Sequence, residues 1–245
     1  MSEICVNDDA GVRTITFNRP AKKNALTTAM YGALADALAS AELDADVAVI
    51  VFIGAGADYT SGNDLRDFLA FEELTSETPV MRFLLELARS PVPLIAAVRG
   101  RAIGVGVTML PHCDLVYASE TAKFTLPFVD IGLVPEAAST LLLPRAAGHR
   151  RASELLLTGK SFDAAAAVEF GIANAVCADA DLESRALEAA RSLVKKPRAA
   201  LRATKRLLKG DESEILARIH LEMNEVARLL RTPEARAAFA AILAK

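Results

Sequence analysis

The sequence predicts an α/β core followed by a C-terminal helical region. Short apolar segments rich in β-branched residues alternate with segments of helical periodicity in the first three quarters of the chain. From Asp181 onward the sequence is rich in Ala, Leu, Glu, Arg and Lys, and Pro197 and Pro233 divide it into helices. Such alternation is typical of a sheet covered by helices. We therefore expect an α/β core over 1–190 and a helical extension over 191–245.

The chain is expected to begin with a hairpin and a helix. Apolar and polar residues alternate over 4–6 and over 12–17, and the polar segment 7–11 between them supplies the turn. A polar loop follows. Apolar residues then recur every four positions over 27–43, which predicts an amphipathic helix.

The segment 47–53 is continuously apolar and rich in β-branched residues, which predicts a buried parallel strand. It is followed by Gly54 and Gly56, which begin like a dinucleotide-binding fingerprint. Tyr59 stands at the third glycine position, so we do not expect a Rossmann domain.

The middle of the chain continues the alternation. Helical spacing of apolar residues predicts a helix over 77–90, which Pro91 ends. Strands are expected over 94–98 and 114–118. Between them, the glycine-rich segment 100–108 predicts a turn that leads into a short helix.

Further helices are expected over 151–157 and 161–170, the second ending at Gly171 as its C-terminal cap. A short strand is expected over 174–176. The strand over 174–176 is the last one that we expect before the helical extension.

Composition limits the possible functions. The net charge is -3, which does not favour a nucleic-acid partner, and hydrophobic residues make up 52% of the chain, enough for a sizeable core. Three scattered Cys argue against disulfides, and three distant His show no metal-ligand spacing. We find no signal peptide, no membrane-spanning run and no peroxisomal C-terminal address, so we expect a cytoplasmic protein and no metal site.

The segment 124–140 is almost wholly apolar or small but contains Glu136, directly after Pro135. Proline before an Ala-rich run predicts a helix start, with Glu136 in its first turn near the positive end of the helix dipole. One interpretation is that Glu136 only caps this helix. The other is that its apolar neighbours raise the pKa of its carboxyl, which would suit a general base.

Two glycine-bearing turns each follow a buried strand. They are Ser61-Gly62-Asn63-Asp64 and Ile103-Gly104-Val105-Gly106. Backbone N–H groups in such turns can stabilise an anion or a developing oxyanion, although the spacing alone favours ordinary turn chemistry. No nucleophile elbow and no phosphate-binding loop is present.

Four segments together resemble the crotonase superfamily, also called enoyl-CoA hydratase/isomerase. They are 18–25 (Asn-Arg-Pro-Ala-Lys-Lys-Asn-Ala), 61–65 (Ser-Gly-Asn-Asp-Leu), 100–114 and 131–136 (Ile-Gly-Leu-Val-Pro-Glu). The resemblance extends from Thr14 to about Phe239. It implies a crotonase-like spiral of repeated ββα units, with a C-terminal helical region that forms trimers and closes the CoA pocket.

The resemblance assigns roles to residues of both turns. The N–H groups of Asn63 and Val105 would bind the thioester oxygen of an acyl-CoA. Contacts to the substrate are expected from the surrounding segments, namely from Lys22, Ala25, Ser61, Gly62, Asn63, Asp64, Leu65, Gly104 and Phe128. Lys22 would meet CoA phosphates or simply be solvated. We expect Asp64 to hold its loop through hydrogen bonds.

The positions of glutamate residues indicate which branch of the superfamily this sequence resembles. Hydratases of this kind use two glutamates, which would fall on Thr108 and Phe128, and both are absent. Glu136 instead matches the single glutamate of the peroxisomal-type Δ3,Δ2-enoyl-CoA isomerases, although Ala137 and Ala138 stand where those enzymes often have glycine. The resemblance therefore implies an enoyl-CoA isomerase with Glu136 as base and Phe128 in an apolar wall.

Other activities stay open at this point. The alternatives are another crotonase-type reaction, such as enoyl-CoA hydratase or acyl-CoA hydrolase, and an acyl-CoA-binding protein without catalysis. We expect no cofactor, because coenzyme A is part of the substrate. The resemblance further implies a homotrimer or a dimer of trimers, assembled through the helical region.

Overall fold

The computed structural model describes residues 2–68 and 75–244. Within them, a six-stranded sheet has the order β1-β2-β3-β4-β6-β9, and a second sheet has the order β5-β7-β8. The strands are β1 (Ile4–Asp9), β2 (Val12–Phe17), β3 (Val49–Gly54), β4 (Leu94–Val98), β5 (Arg101–Ile103), β6 (Leu115–Ser119), β7 (Lys123–Thr125), β8 (Phe162–Asp163) and β9 (Ala175–Cys177).

The chain alternates between the two sheets. β1 and β2 form the predicted antiparallel hairpin, and the remaining pairs of the large sheet are parallel. After β4 the chain enters the small sheet as β5, and after β6 it enters the small sheet again as β7. Successive strand pairs are thus divided between the sheets, which winds the chain in a spiral.

Helices cover the sheets and form the C-terminal region. They are α1 (Thr28–Leu43), α2 (Leu65–Phe68), α3 (Pro79–Arg89), α4 (Val105–Thr108), α5 (Ser139–Ala147), α6 (His149–Thr158), α7 (Ala164–Glu169), α8 (Leu182–Val194), α9 (Arg198–Lys209), α10 (Glu212–Leu229) and α11 (Pro233–Leu243). Short 3-10 turns occupy Pro20–Lys22, Leu110–His112, Val129–Ile131 and Asp179–Asp181. None of the helices described is both long and apolar enough to cross a membrane.

The large sheet is buried on both faces. Side chains alternate along a strand, so Ile50 and Phe52 of β3 enter the main core, while Val49 and Val51 pack with α8 on the other face. This explains the continuous apolar run predicted as a strand. The predicted boundary between the α/β core and the helical extension, at residue 190, falls inside α8. Met1, which begins the predicted core, and Lys245, which ends the predicted extension, lie outside the described residues.

Two local predictions missed a short strand. Segment 161–170 begins with β8 rather than with helix, because Phe162 pairs with Phe124 of β7 and stacks on its ring at 5.2 Å. Segment 100–108 contains β5 before α4 begins, because β5 pairs with β7. In both cases a strand of two or three residues gains its stability from a distant partner, which local periodicity does not reveal.

Candidate active site

A cavity of about 590 Å³ lies between the two glycine turns and the C-terminal helices. Every residue that the sequence predicted for the site lines it. These are Lys22, Ala25, Ser61, Gly62, Asn63, Asp64, Leu65, Gly104, Val105, Phe128 and Glu136. The structure therefore brings the predicted residues to one place, while their individual roles stay predictions.

The two glycine turns are in direct contact. The N–H of Ile103 donates to the carbonyl oxygen of Thr60 over 3.0 Å, and Thr60 and Ala102 form a parallel bridge. Gly62 has a φ of +85°, and a Cβ on it would lie 2.8 Å from the carbonyl oxygen of Ile103. Only glycine permits this backbone conformation together with so close an approach.

Each turn presents a backbone N–H without a protein acceptor. Within residues 2–68 and 75–244, the N–H groups of Asn63 and Val105 donate to no other group. Both residues line the cavity, and Val105 is the first residue of α4. Two unused donors from adjacent turns are the arrangement that stabilises a developing oxyanion.

Tyr31 of α1 orients one of these turns. Its hydroxyl donates a hydrogen bond to Oδ1 of Asn63, and its ring lines the cavity. Burial, assisted by the nearby charge of Glu136, raises the pKa of Tyr31 well above its ordinary value. Tyr31 was not predicted as a site residue, because its position inside an amphipathic helix is typical of an ordinary core residue.

Glu136 does not lie in a helix, contrary to the prediction from Pro135. Helix α5 begins at Ser139, and Ala137 and Ala138 both adopt left-handed conformations with φ of +59° and +55°. Two left-handed residues interrupt any helix that Pro135 would start. Nor is Glu136 the cap of α5, because its carboxyl does not bind the N–H groups of that helix.

The Glu136 carboxyl is buried in an apolar setting. Its residue is 7% exposed, and the hydroxyl of Thr108 donates to Oε1 over 2.5 Å, while Oε2 has no partner among the described residues. Burial raises the pKa of Glu136 to about 8; the Thr108 hydrogen bond opposes this and the charge of Glu222 adds to it. A carboxyl with a pKa in this range is suited to accept and return a proton near neutral pH.

Asp64 is held in place rather than free. Its carboxylate accepts from Arg19 over 2.7 Å and from the backbone N–H of Arg66 over 3.2 Å. The Arg19 hydrogen bond, opposed in part by burial, lowers the pKa of Asp64. As a paired carboxylate at the polar end of the cavity, Asp64 is a poor proton acceptor at neutral pH.

The opposite end of the cavity is apolar and is closed by the C-terminal helices. Phe128 contributes its ring, which lies 3.8 Å from the position of a Cβ on Gly104. Helices α10 and α11 contribute Met223, Val226, Phe239, Ile242 and Leu243. The cavity thus combines one buried carboxyl, two backbone donors and an apolar end that would accommodate a hydrocarbon chain.

In the part of the chain that the structure describes, no cluster of three or more His, Cys, Asp or Glu has a geometry that would hold an ion.

Comparison with known proteins assigns the family. The profile of the enoyl-CoA hydratase/isomerase family matches residues 7–236. The chain belongs to this family. Among solved structures, that of Pseudomonas aeruginosa OdaA superposes with a TM-score of 0.97 at 40% identity, covering 100% of both chains. The predicted crotonase-like fold is therefore confirmed.

Relatives in this family are named for different reactions. The chain is 37% identical to rat enoyl-CoA delta isomerase 2 over 89% of its own length, but spans only 57% of that protein. It is 33% identical to Escherichia coli 1,2-epoxyphenylacetyl-CoA isomerase, covering 100% of this chain and 97% of the other. Membership of the family therefore does not by itself decide which reaction this chain catalyses.

Proposed function

We propose that this protein is an enoyl-CoA isomerase that moves the double bond of a 3-enoyl-CoA to the trans-2 position. The observation that supports this most strongly is the solitary Glu136. It is the one unpaired carboxyl among the described residues that line the cavity, and Thr108 and Phe128 stand where the resemblance expects the two glutamates of a hydratase. Addition of water needs one group to activate the water and another to protonate carbon, whereas isomerisation needs one base.

The proposed reaction uses Glu136 twice. Its carboxylate removes a proton from C2 of the 3-enoyl-CoA, and the electron pair delocalises over C2, C3 and C4 and onto the thioester oxygen. The N–H groups of Asn63 and Val105 bind that oxygen and stabilise its negative charge. The protonated Glu136 then donates the proton to C4, which leaves the double bond between C2 and C3. Phe128 and the apolar end of the cavity exclude water, so hydration does not compete.

The coenzyme A portion of the substrate would occupy the polar side of the cavity. Lys22, Ala25 and Ser61 lie there, and Arg66 adds positive charge, whereas the charge of Arg19 is offset by Glu3 and Asp64. Positive side chains at this side would attract the phosphates of CoA.

We also propose that the protein assembles through its helical region as a trimer or a dimer of trimers. Leu207 and Leu208 of α9 are 78% and 81% exposed, and Leu221 of α10 is 58% exposed. Leucines this exposed favour a protein contact at this surface. Light scattering coupled to size-exclusion chromatography would test this, and a monomer at micromolar concentration would contradict it.

The proposed reaction is tested by incubating the purified protein with 3-hexenoyl-CoA and following the conjugated 2-enoyl thioester by its absorbance. Hydration of crotonyl-CoA is measured in parallel. Glu136→Gln is expected to lower the isomerisation rate by at least about 100-fold, in the range typical for loss of a general base. Asp130→Asn is the matched control, because Asp130 is close in sequence, exposed and outside the cavity.

Two outcomes would overturn the proposal. A wild-type protein that hydrates crotonyl-CoA well but does not isomerise 3-hexenoyl-CoA would be a hydratase. A Glu136→Gln variant with full isomerase activity would remove Glu136 from the mechanism.

A further inference from the structure

A second buried glutamate lies beside the loop that carries Glu136. Glu222 of α10 is 4% exposed, and its Oε1 accepts hydrogen bonds from the backbone N–H of Thr140 over 2.9 Å and from the Thr140 hydroxyl over 2.5 Å. Thr140 is the second residue of α5, so a carboxylate from 82 residues away binds the start of this helix.

Helix α5 has no cap of its own. Its N-cap residue is Ala138, whose side chain cannot accept a hydrogen bond, and the first N–H groups of any helix need an acceptor from elsewhere. Glu222 supplies one, and its negative charge also complements the positive end of the helix dipole. Arg218 of α10 reinforces the contact by donating to the Thr140 hydroxyl over 3.0 Å.

This contact holds the turn on which Glu136 depends. Glu136 is separated from α5 only by the left-handed residues Ala137 and Ala138, a conformation that alanine adopts reluctantly. The surrounding structure must therefore maintain it. The turn is held from one side by His112, which binds the carbonyl oxygen of Ala137 over 2.7 Å, and from the other by Glu222.

We propose that Glu222 is a positioning residue for Glu136: by binding the N–H and the hydroxyl of Thr140 at the start of α5, it fixes the left-handed turn that directs the Glu136 carboxyl into the cavity. This inference rests on the proposed function. It assigns a catalytic contribution to the helical region beyond lining the cavity. Glu222 does not line the cavity and makes no contact with substrate in this account.

Glu222 also influences the ionisation of Glu136. Its charge contributes to the raised pKa of Glu136, and burial raises the pKa of Glu222 itself, opposed by Thr140, by the N–H of Ala138 and by Arg218. Among the described residues, the Thr108 hydroxyl donates to Glu136, and Tyr31 is close enough for the Glu136 charge to contribute to its raised pKa. Removing the Glu222 charge while keeping its acceptor oxygen should therefore change the ionisation of Glu136 without releasing the turn.

Two substitutions separate these effects. Glu222→Gln keeps an oxygen for Thr140 but removes the charge, and Glu222→Leu removes both. We expect Glu222→Leu to lower kcat about 10- to 100-fold with KM nearly unchanged, since small misplacements of a catalytic group have effects of this size. Glu222→Gln should restore kcat to within about threefold of wild type and move the acid limb of the kcat/KM profile downward by about half a pH unit.

Glu225 provides the matched control, because it lies one turn along α10, is partly exposed and pairs only with Arg228 among the described residues. Glu225→Gln and Glu225→Leu should behave as wild type. Wild-type kcat and an unshifted profile in both Glu222 variants would overturn the inference. If Glu222→Leu does not fold, Glu222→Gln and Thr140→Val provide the test instead. An unshifted kcat/KM profile in Glu222→Gln together with wild-type kcat in Thr140→Val would then overturn the inference.

Failure of the proposed function can be told apart from failure of this inference. A wild-type protein without isomerase activity contradicts the function alone. The pKa of Glu136 can still be followed by ¹³C NMR of glutamate-labelled protein, with Glu136→Gln identifying its signal. A Glu136 signal whose chemical shift and titration are identical in wild type and Glu222→Leu would then overturn the inference, and a change in either would support it.

Discussion

The hydroxyl of Thr108 donates a hydrogen bond to Oε1 of Glu136 over 2.5 Å. Thr108 occupies a position where the resemblance to hydratases expects a carboxylate. In its place is a neutral donor that can stabilise the ionised form of the neighbouring base. With threonine instead of a carboxylate at position 108, the site has one acid–base group fewer. The threonine hydroxyl instead affects the ionisation of the carboxyl that is present, that of Glu136.

Removing that donor should change the pH at which the base works. Burial raises the pKa of Glu136 to about 8, and the Thr108 hydrogen bond opposes the rise. Thr108→Val should therefore raise the pKa further and move the acid limb of kcat/KM upward by about one pH unit, since a hydrogen bond to a charge contributes about 1.5–3 kcal/mol. Thr108→Ser keeps the hydroxyl and is the control. An unchanged limb in Thr108→Val would contradict this coupling.

Glu136 should destabilise the protein at alkaline pH. Its folded pKa of about 8 lies above the ordinary value of 4.5, so the stability associated with its protonated form is complete below pH 4.5 and is lost as the pH rises to 8. The full interval corresponds to about 5 kcal/mol, which is an upper limit. Glu136→Gln should therefore unfold at higher denaturant concentration than wild type at pH 8, and the difference should be small at pH 5. An equal difference at both values would contradict the raised pKa.

His112 should make the protein sensitive to acid. Burial lowers the pKa of His112 to about 4 from an ordinary 6.5, so the stability of its neutral form is complete above pH 6.5 and is lost as the pH falls toward 4. The loss is at most about 3 kcal/mol. The slope of unfolding free energy against pH should be shallower in His112→Gln over this window. His149→Gln at an exposed position is the control, and equal slopes in wild type and His112→Gln would refute the prediction.

Tyr31 should affect turnover through Asn63. Tyr31→Phe removes the hydroxyl that holds the Asn63 side chain, so the N–H of Asn63 would be less well aligned with the thioester oxygen. We expect kcat to fall about tenfold with little change in KM, less than the loss of a whole oxyanion donor. Tyr59→Phe is the matched control, because the Tyr59 hydroxyl is buried against the sulfur of Met109. Wild-type kcat in Tyr31→Phe would contradict this role.

Much of the architecture follows from local sequence patterns. The second hairpin strand β2, the helix that became α1, the buried strand β3 and the strand β4 were predicted within one or two residues, because periodicity and proline positions specify them. The first hairpin strand was predicted too short, because β1 continues through the polar residues to Asp9. The glycines of the two turns were also informative, since Gly62 requires both a positive φ and close contact with Ile103.

The surroundings of Glu136 could not be predicted in the same way. Alanine rarely adopts a positive φ, so the local sequence after Pro135 predicts a helix, and only contacts from elsewhere explain Ala137 and Ala138. Those contacts come from His112 and from Glu222, which lie 25 and 82 residues away from their partners. No pattern of spacing in the sequence identifies pairs of this kind.

In the proposed reaction, one buried glutamate carries a proton from C2 to C4. The most direct test is to convert 3-hexenoyl-CoA in D₂O, under single-turnover conditions, and to measure deuterium at C4 of the product by mass spectrometry. A single shielded base predicts that most product molecules retain the original proton and carry no deuterium at C4. One deuterium at C4 in every product molecule would mean that the proton comes from solvent, and would contradict the shuttle.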